Sequence, residues 1–348
     1  MRTTIRDVAV AAGVHHTTVS RALNPATAHL VKGETATRVR AAAERLGYVP
    51  DALARGLKTN ASMTVGVVVP DLATPVLGRV VRGVEDVLSP RYVTLVVNTD
   101  DDAERERQQL AALTSWKVDG LVVVADRVSA SLQALVDDGL PVVVANRRVR
   151  RGGLSSVTGD DAAGVTALVD HLVGLGHRRI ACVPGPAATS TGSVRAAAFR
   201  TAMVDHGLEV DERLVRPADA FRIADGDRAL TALVRSGERF TAVVAGDDLL
   251  AVGCYDALRR LGLRCPDDVS VVGFDDMPFV DKLWPPLTSV AVPHHEIGQQ
   301  AAHMLLAQLE GRVPAGSTAL LPVCLQVRGS TAPPPTETAP PRTGERRG

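Results

Sequence analysis

The sequence contains little cysteine, and charge of neither sign dominates it. Its four cysteines lie far apart in the chain, and no two of them show the CxxC spacing of a zinc site or the dense pattern of a disulfide framework. Lysine and arginine together number 39, as do aspartate and glutamate, so the whole chain has no strong preference for polyanions or polycations. We therefore expect no bound metal, and we expect small buried thiols rather than disulfides.

Long hydrophobic runs are also absent. Apolar stretches such as VGVVV at 65–69 are far too short to cross a bilayer. The N-terminus lacks the hydrophobic region of a signal peptide. We expect a cytoplasmic protein that has no membrane partner.

The sequence also lacks the motifs of several enzyme classes. The glycine-rich stretch GPAATSTG at 185–192 has neither the lysine nor the following serine or threonine of a phosphate-binding loop. No GxGxxG follows the first predicted strand, and no Ser-His-Asp set is evident. We therefore predict that the protein is not an enzyme and needs no cofactor.

What the sequence does contain is an uneven charge distribution. Residues 1–62 hold nine basic and four acidic side chains, a net charge of +5, and the rest of the chain is correspondingly acidic. A basic N-terminal module on an acidic body indicates an anionic partner for that module.

The stretch TIRDVAVAAGVHHTTVSRAL at 4–23 predicts two short helices joined by a tight turn. Thr4 is suited to cap the first helix, and Gly13 is suited to end it. The second helix is predicted from about His16 to Asn24, and a third within 34–50, ending at Gly47. The apolar spacing predicts inward-facing side chains at Ile5, Val8, Ala9, Ala12, Val14, Val19, Leu23, Val39, Ala42, Ala43 and Leu46.

This arrangement leaves a polar face on the second helix. Such a helix fits the DNA major groove, where residues near its N-terminus reach base edges. Thr4 and Ser20 are candidate phosphate contacts, and Arg21 a candidate contact to phosphate or guanine. The alternative is a small helical bundle without a DNA role. The candidate DNA-binding residues are Thr4, His15, His16, Thr17, Ser20, Arg21 and Asn24.

From Met63 onward, buried-type strands alternate with helical segments. Continuous apolar runs fit strands of a parallel sheet that is covered on both faces, and βαβ repetition predicts a doubly wound architecture. Two such units, split near 158, predict two lobes with a cleft between them. The strands are predicted at 65–69, 93–97, 120–124, 141–145, 179–183, 241–245 and 269–274.

Three segments, in order and spacing, resemble the LacI/GalR family of bacterial repressors: IRDVAVAAGVHHTTVSRALN, GYVPDALARGLKT and VGVVVPDLATPVLGRVVRGVE. The resemblance extends over residues 3–330. It implies an all-α helix-turn-helix headpiece followed by an α/β, two-lobed, doubly wound domain like the periplasmic sugar-binding proteins. It also implies a homodimer. The expected domains are the headpiece at 1–49, a hinge helix and linker at 50–62, the two-lobed domain at 63–330 and a disordered tail at 331–348.

The same resemblance assigns roles in the hinge. It implies that paired hinge helices enter the minor groove, with Leu57 as the wedge between base pairs, Ala54 beside it and Lys58 as a flanking contact. There are departures from the family. His15 stands where serine is usual, so we expect the second helix to lack its normal cap. Gly56 replaces a frequent serine, which weakens a helix by up to about 1 kcal/mol relative to alanine.

Polar residues follow several strands, and ligands of doubly wound sheets bind at such carboxyl ends. The family motifs imply that Arg195 and Asp275 are the main effector contacts and that Phe221 stacks on the effector. By contrast, Asp160 and Asp161 are interpreted as helix caps, and His294 as structural or solvated. The candidate effector-binding residues are Val76, Asn146, Arg147, Arg195, Phe221, Asp247 and Asp275.

The family topology implies one lobe from 62–158 plus 289–319, and a second from 159–288 plus a last strand near 320–330. The expected function is a sequence-specific DNA-binding transcriptional regulator, a repressor, whose partner is double-stranded operator DNA. A small-molecule effector in the cleft would switch it, with a sugar favoured over a nucleobase. The alternative is the solute-binding protein of a transporter, which residues 1–60 disfavour.

Overall fold

The computed structural model describes residues 3–24, 27–48, 61–125, 128–148, 153–312 and 314–335. The chain divides into two compact units, residues 1–63 and residues 64–348. We call the first unit the headpiece and the second the body, and each is described by itself. Most of the predicted hinge, including Ala54, Leu57 and Lys58, lies outside the described residues.

The headpiece consists of short helices around a small apolar core. They are α1 (Ile5–Ala12), α2 (His16–Leu23), a 3₁₀ turn (Ala28–Leu30) and α3 (Gly33–Arg45). Among the described headpiece residues, the buried side chains of this core are all alanine or valine, which allows the helices to approach closely. They are Val8, Ala9, Ala12, Val19, Ala22, Ala36, Val39, Ala42 and Ala43.

Local sequence explains where the first helix begins and ends. The Thr4 hydroxyl accepts from the backbone N–H of Asp7, and the Asp7 carboxylate accepts from the backbone N–H of Thr4, which makes a reciprocal capping box. Gly13 ends the helix at φ 62°, in the left-handed region that favours glycine. Both predictions from the sequence are confirmed.

The body contains two sheets, one in each lobe. The first lobe has a six-stranded parallel sheet in the order β10-β5-β4-β3-β1-β2. Its strands are β1 (Thr64–Val69), β2 (Val93–Asn98), β3 (Gly120–Val123), β4 (Val142–Ala145), β5 (Ser155–Gly159) and β10 (Thr318–Leu321).

The second lobe has a five-stranded sheet in the order β11-β9-β8-β7-β6, in which only the edge strand β11 is antiparallel. Its strands are β6 (Ile180–Val183), β7 (Ala242–Ala245), β8 (Ser270–Asp275), β9 (Thr288–Ala291) and β11 (Cys324–Gln326). The strands β1, β3 and β4 of the first lobe and β6, β7 and β8 of the second are fully or almost fully buried. This burial is the reason that they read as continuous apolar runs.

Helices connect the strands of each lobe. In the first lobe they are α4 (Pro75–Leu88), α5 (Ala103–Ser115), α6 (Ala130–Asp137) and α11 (His294–Leu309). In the second lobe they are α7 (Asp161–Gly174), α8 (Ser190–Asp205), α9 (Ile223–Arg235) and α10 (Asp248–Arg260), with short 3₁₀ turns at Glu212–Leu214 and Val280–Lys282.

The chain crosses between the lobes three times, and the second crossing corrects the predicted partition. We expected residue 289 to belong to the first lobe. Instead, β9 pairs in parallel with β8 of the second sheet, and the chain returns to the first lobe only at the start of α11. The third crossing separates β10 from β11, so the strand expected near 320–330 is two strands in different sheets.

The C-terminal segment is better ordered than its composition predicts. The carbonyl of Ala332 accepts from Nε2 of His177 at 2.9 Å, and its N–H donates to the Ser270 hydroxyl at 3.1 Å. Disorder from residue 331 onward is therefore a wrong prediction for residues 331–335, because proline-rich composition does not reveal these contacts. Residues 336–348 lie outside the described residues.

The sequence analysis also made predictions about the cysteines and about membrane-spanning helices. Cys182 and Cys254 are buried, as expected, whereas Cys265 is partly exposed and Cys324 is exposed on the edge strand β11. Within the described ranges, no helix is both long and apolar enough to cross a membrane.

Candidate DNA-reading surface and effector site

The second helix of the headpiece presents the polar face that the sequence predicts. His15, His16, Thr17, Ser20 and Arg21 are all exposed, and only Asn24, just after the helix, is half-buried. The opposite side packs through Val19 and Ala22 onto α1 and α3. The helix is therefore packed against the headpiece core on one side, and its polar side chains are exposed on the other.

His15 caps this helix, which the sequence analysis did not anticipate. Its Nδ1 accepts from the backbone N–H of Thr17 at 3.4 Å and lies 2.8 Å from the Thr17 hydroxyl. The expectation of an uncapped helix is wrong, because an unprotonated imidazole nitrogen replaces the serine oxygen. The centroids of the His15 and His16 rings lie 4.1 Å apart, so the two rings pack against each other.

Thr4 is the exception among the predicted phosphate contacts. Its hydroxyl donates to the Asp7 carboxylate at 2.8 Å, and its N–H is also bonded there. These bonds lower the pKa of Asp7. A phosphate contact from Thr4 would have to replace a bond of the capping box, so its structural role is the one that the geometry supports.

In the body, Arg195 is the centre of the predicted effector site. It lies on α8, is 6% exposed and stacks over the ring of Phe274. Its Nε and Nη2 both donate to Oδ1 of Asp161, at 3.0 and 2.7 Å, and its Nη2 lies 3.4 Å from Oδ1 of Asp275. Its Nη1 also donates to the carbonyl of Gly246. Hydrogen-bond acceptors at the ends of several strands and helices of the second lobe thus fix the orientation of the guanidinium.

The carboxylates near Arg195 differ sharply in their affinity for protons. Burial would raise the pKa of Asp275, but the charges and hydrogen bonds of Arg195 and His294 together outweigh burial and hold it at about 2. Burial, together with the negative charge of Asp275, raises the pKa of Asp247 to about 7. Asp247 also caps α10 by accepting from the Leu250 N–H at 2.8 Å. The site therefore holds one firmly ionised carboxylate beside one that gains a proton near neutral pH.

Residues of the first lobe approach this cluster across the cleft. The Arg147 guanidinium lies 5.8 Å from the ring centroid of Phe221, which belongs to the second lobe and packs closely against Gly185. The backbone N–H of Arg148 lies 3.4 Å from the Ser190 hydroxyl of the second lobe. The two lobes therefore meet directly at the predicted site.

A cavity of about 190 Å³ lies at this junction. It is lined from the first lobe by Asn146, Arg147 and Arg148, and from the second lobe by the first residues of α7 and α8. Asp161 lines the cavity and also binds Arg195, so it connects the open space to the charged cluster. Val76 does not line this cavity, because it is buried in the core near the start of α4. The other predicted effector residues that do not line it are Arg195, Phe221, Asp247 and Asp275.

Comparison with known proteins finds relatives of both parts of the chain. Residues 4–51 match Bacterial regulatory proteins, lacI family, and residues 169–331 match Periplasmic binding protein-like domain. The chain is 31% identical over 331 residues to the HTH-type transcriptional repressor CytR of Escherichia coli (strain K12), covering 94% of this chain and 96% of that protein. The chain belongs to the LacI family.

Solved structures agree with this membership. The Lac repressor dimer bound to operator and the anti-inducer ONPF matches this LacI-family chain with a TM-score of 0.84 and 26% identity, covering 95% of this chain and all of that one. The transcriptional regulator CelR–cellobiose complex matches with a TM-score of 0.73 and 30% identity, covering 94% and 100%. The chain is accordingly a DNA-binding transcriptional regulator, and the transporter and enzyme alternatives are set aside.

The structure brings two further residues of this LacI-family chain into the site. Asp161, which we interpreted as a helix cap, binds Arg195, while Asp160 alone caps α7 by accepting from the Ala163 N–H. His294, which we interpreted as structural or solvated, is 2% exposed and lies 3.5 Å from Asp275. Their positions depend on contacts between elements far apart in the chain, and the sequence carries no local signal for them.

Asp248 supports the site from behind. Asp275 and the next residue, Asp276, have φ of 99° and 48°, which L-residues rarely adopt. The Asp248 carboxylate accepts from the backbone N–H of Met277 at 2.7 Å and from the Ser289 hydroxyl at 2.6 Å. These bonds fix the turn that presents Asp275, and burial raises the pKa of Asp248 well above its usual range.

Proposed function

We propose that this protein is a homodimeric repressor in the cytoplasm that binds a near-palindromic operator and is switched by a small sugar. In this proposal α2 enters the major groove, where His16, Thr17 and Arg21 read base edges and Ser20 contacts phosphate. His15 binds through Nε2, since its Nδ1 caps the helix. Each half of the operator would receive one headpiece, and the hinge residues Ala54, Leu57 and Lys58 would contact the minor groove.

The observation that carries the effector proposal is the position of Arg195. Its guanidinium is buried at the carboxyl ends of the second sheet and beside the carboxylates of Asp161 and Asp275. Guanidinium donors next to carboxylate acceptors suit hydroxyl groups, each of which donates and accepts. The similarity to CelR, which was solved with cellobiose, also supports a sugar.

The proposed switch uses the contacts between the lobes. A ligand that binds Arg195 and Asp275 in one lobe and Asn146 or Arg147 in the other favours a different arrangement of the two lobes. A ligand shifts such an equilibrium only by its difference in affinity for the two states, and coupling of this kind amounts to about 1–3 kcal/mol. A shift of that size is enough to change operator occupancy markedly.

Thermal-shift screening of neutral sugars and nucleosides against the full-length protein tests the effector class. We expect a sugar to raise the melting temperature of the wild type and to change its affinity for operator. The variant Asp275→Asn should bind operator normally but lose both responses. Asp267→Asn, an exposed carboxylate of the same lobe, is the matched control and should behave as the wild type. A nucleoside as the only stabilising ligand, or a normal response in Asp275→Asn, would contradict the proposal.

A further inference from the structure

The cavity between the lobes has polar groups on its wall that the contacts proposed above leave unused. Its volume is about 190 Å³. Pockets that enclose a whole small ligand usually measure about 300–1,000 Å³, so this cavity is suited to one substituent group of the effector. Because Arg195 and Asp275 do not line the cavity, the groups that do line it select that substituent.

Two helices begin at the cavity wall. Ala162, in the first turn of α7, and Thr191, in the first turn of α8, both line the cavity. The side-chain caps of these helices bind the N–H groups of Ala163 and Gly192, one residue further along the chain. Within the described ranges, the N–H groups of Ala162 and Thr191 have no hydrogen-bond partner. Such N–H groups, together with the positive ends of two helix dipoles, favour an anion.

Two nearly buried hydroxyl groups add to these donors. Thr158, which lies in β5 of the first lobe, is 6% exposed, and Thr191 is 9% exposed. Both residues line the cavity, and neither hydroxyl has a hydrogen-bond partner among the residues that the structure describes. Since buried polar groups nearly always have a partner, these two hydroxyls indicate that a polar group of a ligand enters the cavity.

Arginine side chains of the first lobe supply positive charge at the same wall. Arg148 is exposed, and its side chain forms no ion pair with any residue in the described part of the chain. Its backbone N–H lies 3.4 Å from the Ser190 hydroxyl, so the residue is held at the first turn of α8. Arg147 lines the cavity beside it.

The carboxylates of this wall are already engaged. Asp160 caps α7, and Asp161 accepts from Nε and Nη2 of Arg195 at 3.0 and 2.7 Å. Because Asp161 is paired with Arg195, Asp160 is the unpaired negative charge that opposes Arg147 and Arg148 among the described residues of the wall. The groups left for a ligand are therefore mainly hydrogen-bond donors and cations.

We propose that this cavity binds the phosphate group of a phosphorylated sugar. The proposal rests on the proposed function and narrows the effector to sugar phosphates. A phosphate monoester has three acceptor oxygens and a charge of about −1.5 to −2 at pH 7, so it can accept from the two N–H groups, the two hydroxyls and Arg148 together. The hydroxyl group of a neutral sugar has fewer lone pairs and no charge to offer them.

The phosphate would also connect the two lobes. Thr158 and Arg148 belong to the first lobe, whereas Ala162 and Thr191 belong to the second. A group that binds both sets favours the arrangement in which they lie close together. The unphosphorylated sugar lacks this contribution, so we expect it to bind more weakly than its phosphate.

The first test uses inorganic phosphate without any sugar. Melting temperatures of the full-length protein are compared in phosphate and in chloride at equal ionic strength and pH. We expect about 10 mM phosphate to raise the melting temperature of the wild type by about 2 °C more than that of Arg148→Gln or Thr191→Val. Phosphate stabilises many proteins unspecifically, so the difference between the proteins is the readout.

Arg79→Gln is the matched control for this test. Arg79 is an exposed arginine of the same lobe that does not line the cavity, so the variant should respond to phosphate as the wild type does. Equal rises in melting temperature in the wild type and in Arg148→Gln would overturn the phosphate subsite. Because Arg148 is exposed, its substitution should leave the protein folded.

The second test compares sugars with their phosphates. Dissociation constants are measured by calorimetry for D-glucose, D-ribose and D-galactose and for glucose 6-phosphate, ribose 5-phosphate and galactose 1-phosphate. We expect a phosphate to bind the wild type about tenfold or more tightly than its parent sugar, and Arg148→Gln to reduce that ratio to less than about threefold.

The outcomes of the second test separate the subsite from the proposed function. Phosphates that bind no more tightly than their parent sugars would overturn the subsite and leave the sugar effector in place. Glucuronate, which carries a carboxylate, should bind less tightly than glucose 6-phosphate, and the reverse order would overturn the choice of phosphate. If none of the sugars or phosphates binds, the sugar effector is contradicted, while the test with inorganic phosphate still decides the subsite.

Discussion

At the scale of single residues, Arg195 is both a buried charge that needs partners for stability and a candidate contact for the effector. The guanidinium is buried and is compensated by Asp161, Asp275 and the carbonyl of Gly246. Removing one partner of such a buried ion pair costs about 3–5 kcal/mol, since the other charge is left unpaired. The hydroxyl groups of an effector can replace some of these hydrogen bonds with new ones. No buried charge is then left without a partner.

His15 provides a residue-scale prediction for the headpiece. The variant His15→Ala should lower the free energy of unfolding of the headpiece by about 1 kcal/mol, because it removes the nitrogen that caps α2. Thermal denaturation followed by circular dichroism measures the change. His15→Ser is the matched control and should retain the stability, since serine is a good cap. Equal losses in the two variants would show that the cap contributes nothing.

Asp247 provides a prediction for pH dependence. Burial and Asp275 raise its pKa in the folded protein to about 7, so the folded state binds this proton more tightly than the unfolded chain does. Its contribution therefore favours folding at low pH and is lost as the pH rises from about 4 to about 7. Asp247→Asn keeps a good cap for α10 but has no proton to lose. Denaturant unfolding between pH 5 and 8 should show that the variant gains stability relative to the wild type as the pH rises. A constant difference between them would contradict the raised pKa.

At the scale of elements, two helices of the first lobe pack through glycines. A Cβ on Gly83 of α4 would lie 2.0 Å from the carbonyl oxygen of His295, and a Cβ on Gly298 of α11 would lie 2.1 Å from that of Val80. Helices can approach this closely only where a side chain is absent. This contact fixes α11, and therefore the position of His294 at its first turn.

Gly298→Ala should accordingly destabilise the protein by about 1–3 kcal/mol, the usual cost of overfilling a packed interior. Gly78→Ala is the matched control: it lies in the same helix pair with open space around its Cα, so it should be neutral or stabilising by up to about 1 kcal/mol. Urea denaturation of both variants measures the difference. A Gly298→Ala variant as stable as Gly78→Ala would show that the helices are not in close contact.

Elements also show what the sequence could and could not predict. The capping box at Thr4, the turn at Gly13 and the buried strands were predictable, because each depends on residues close together in the chain. The cap from His15 was missed because serine is the expected residue there, although histidine also offers an acceptor. The second crossing between lobes was misplaced by a few residues, because the pairing of β9 with β8 places it in the second sheet, and the local sequence does not reveal that pairing.

At the scale of the whole molecule, the headpiece and the body are two separate compact units. The proposed regulation of DNA binding by a ligand requires both of them. The headpiece has an exposed polar helix, which we propose for DNA, and the body has a buried charged cluster, which we propose for a ligand. Two residues that sequence motifs did not predict, Asp161 and His294, lie beside Arg195 and Asp275 only because three chain crossings bring distant segments to one cleft. The fold could therefore be predicted from local patterns, whereas the full site could not.

The most direct test of the account is the affinity of the full-length protein for DNA, measured by fluorescence anisotropy at physiological salt. The probe is the duplex that the protein itself selects from a random pool, and the competitor is the unselected pool. We predict that the selected duplex is a near-palindrome and is bound about 10³-fold or more tightly than the pool, as is usual for specific DNA recognition. Equal affinity for the selected duplex and the pool would contradict it.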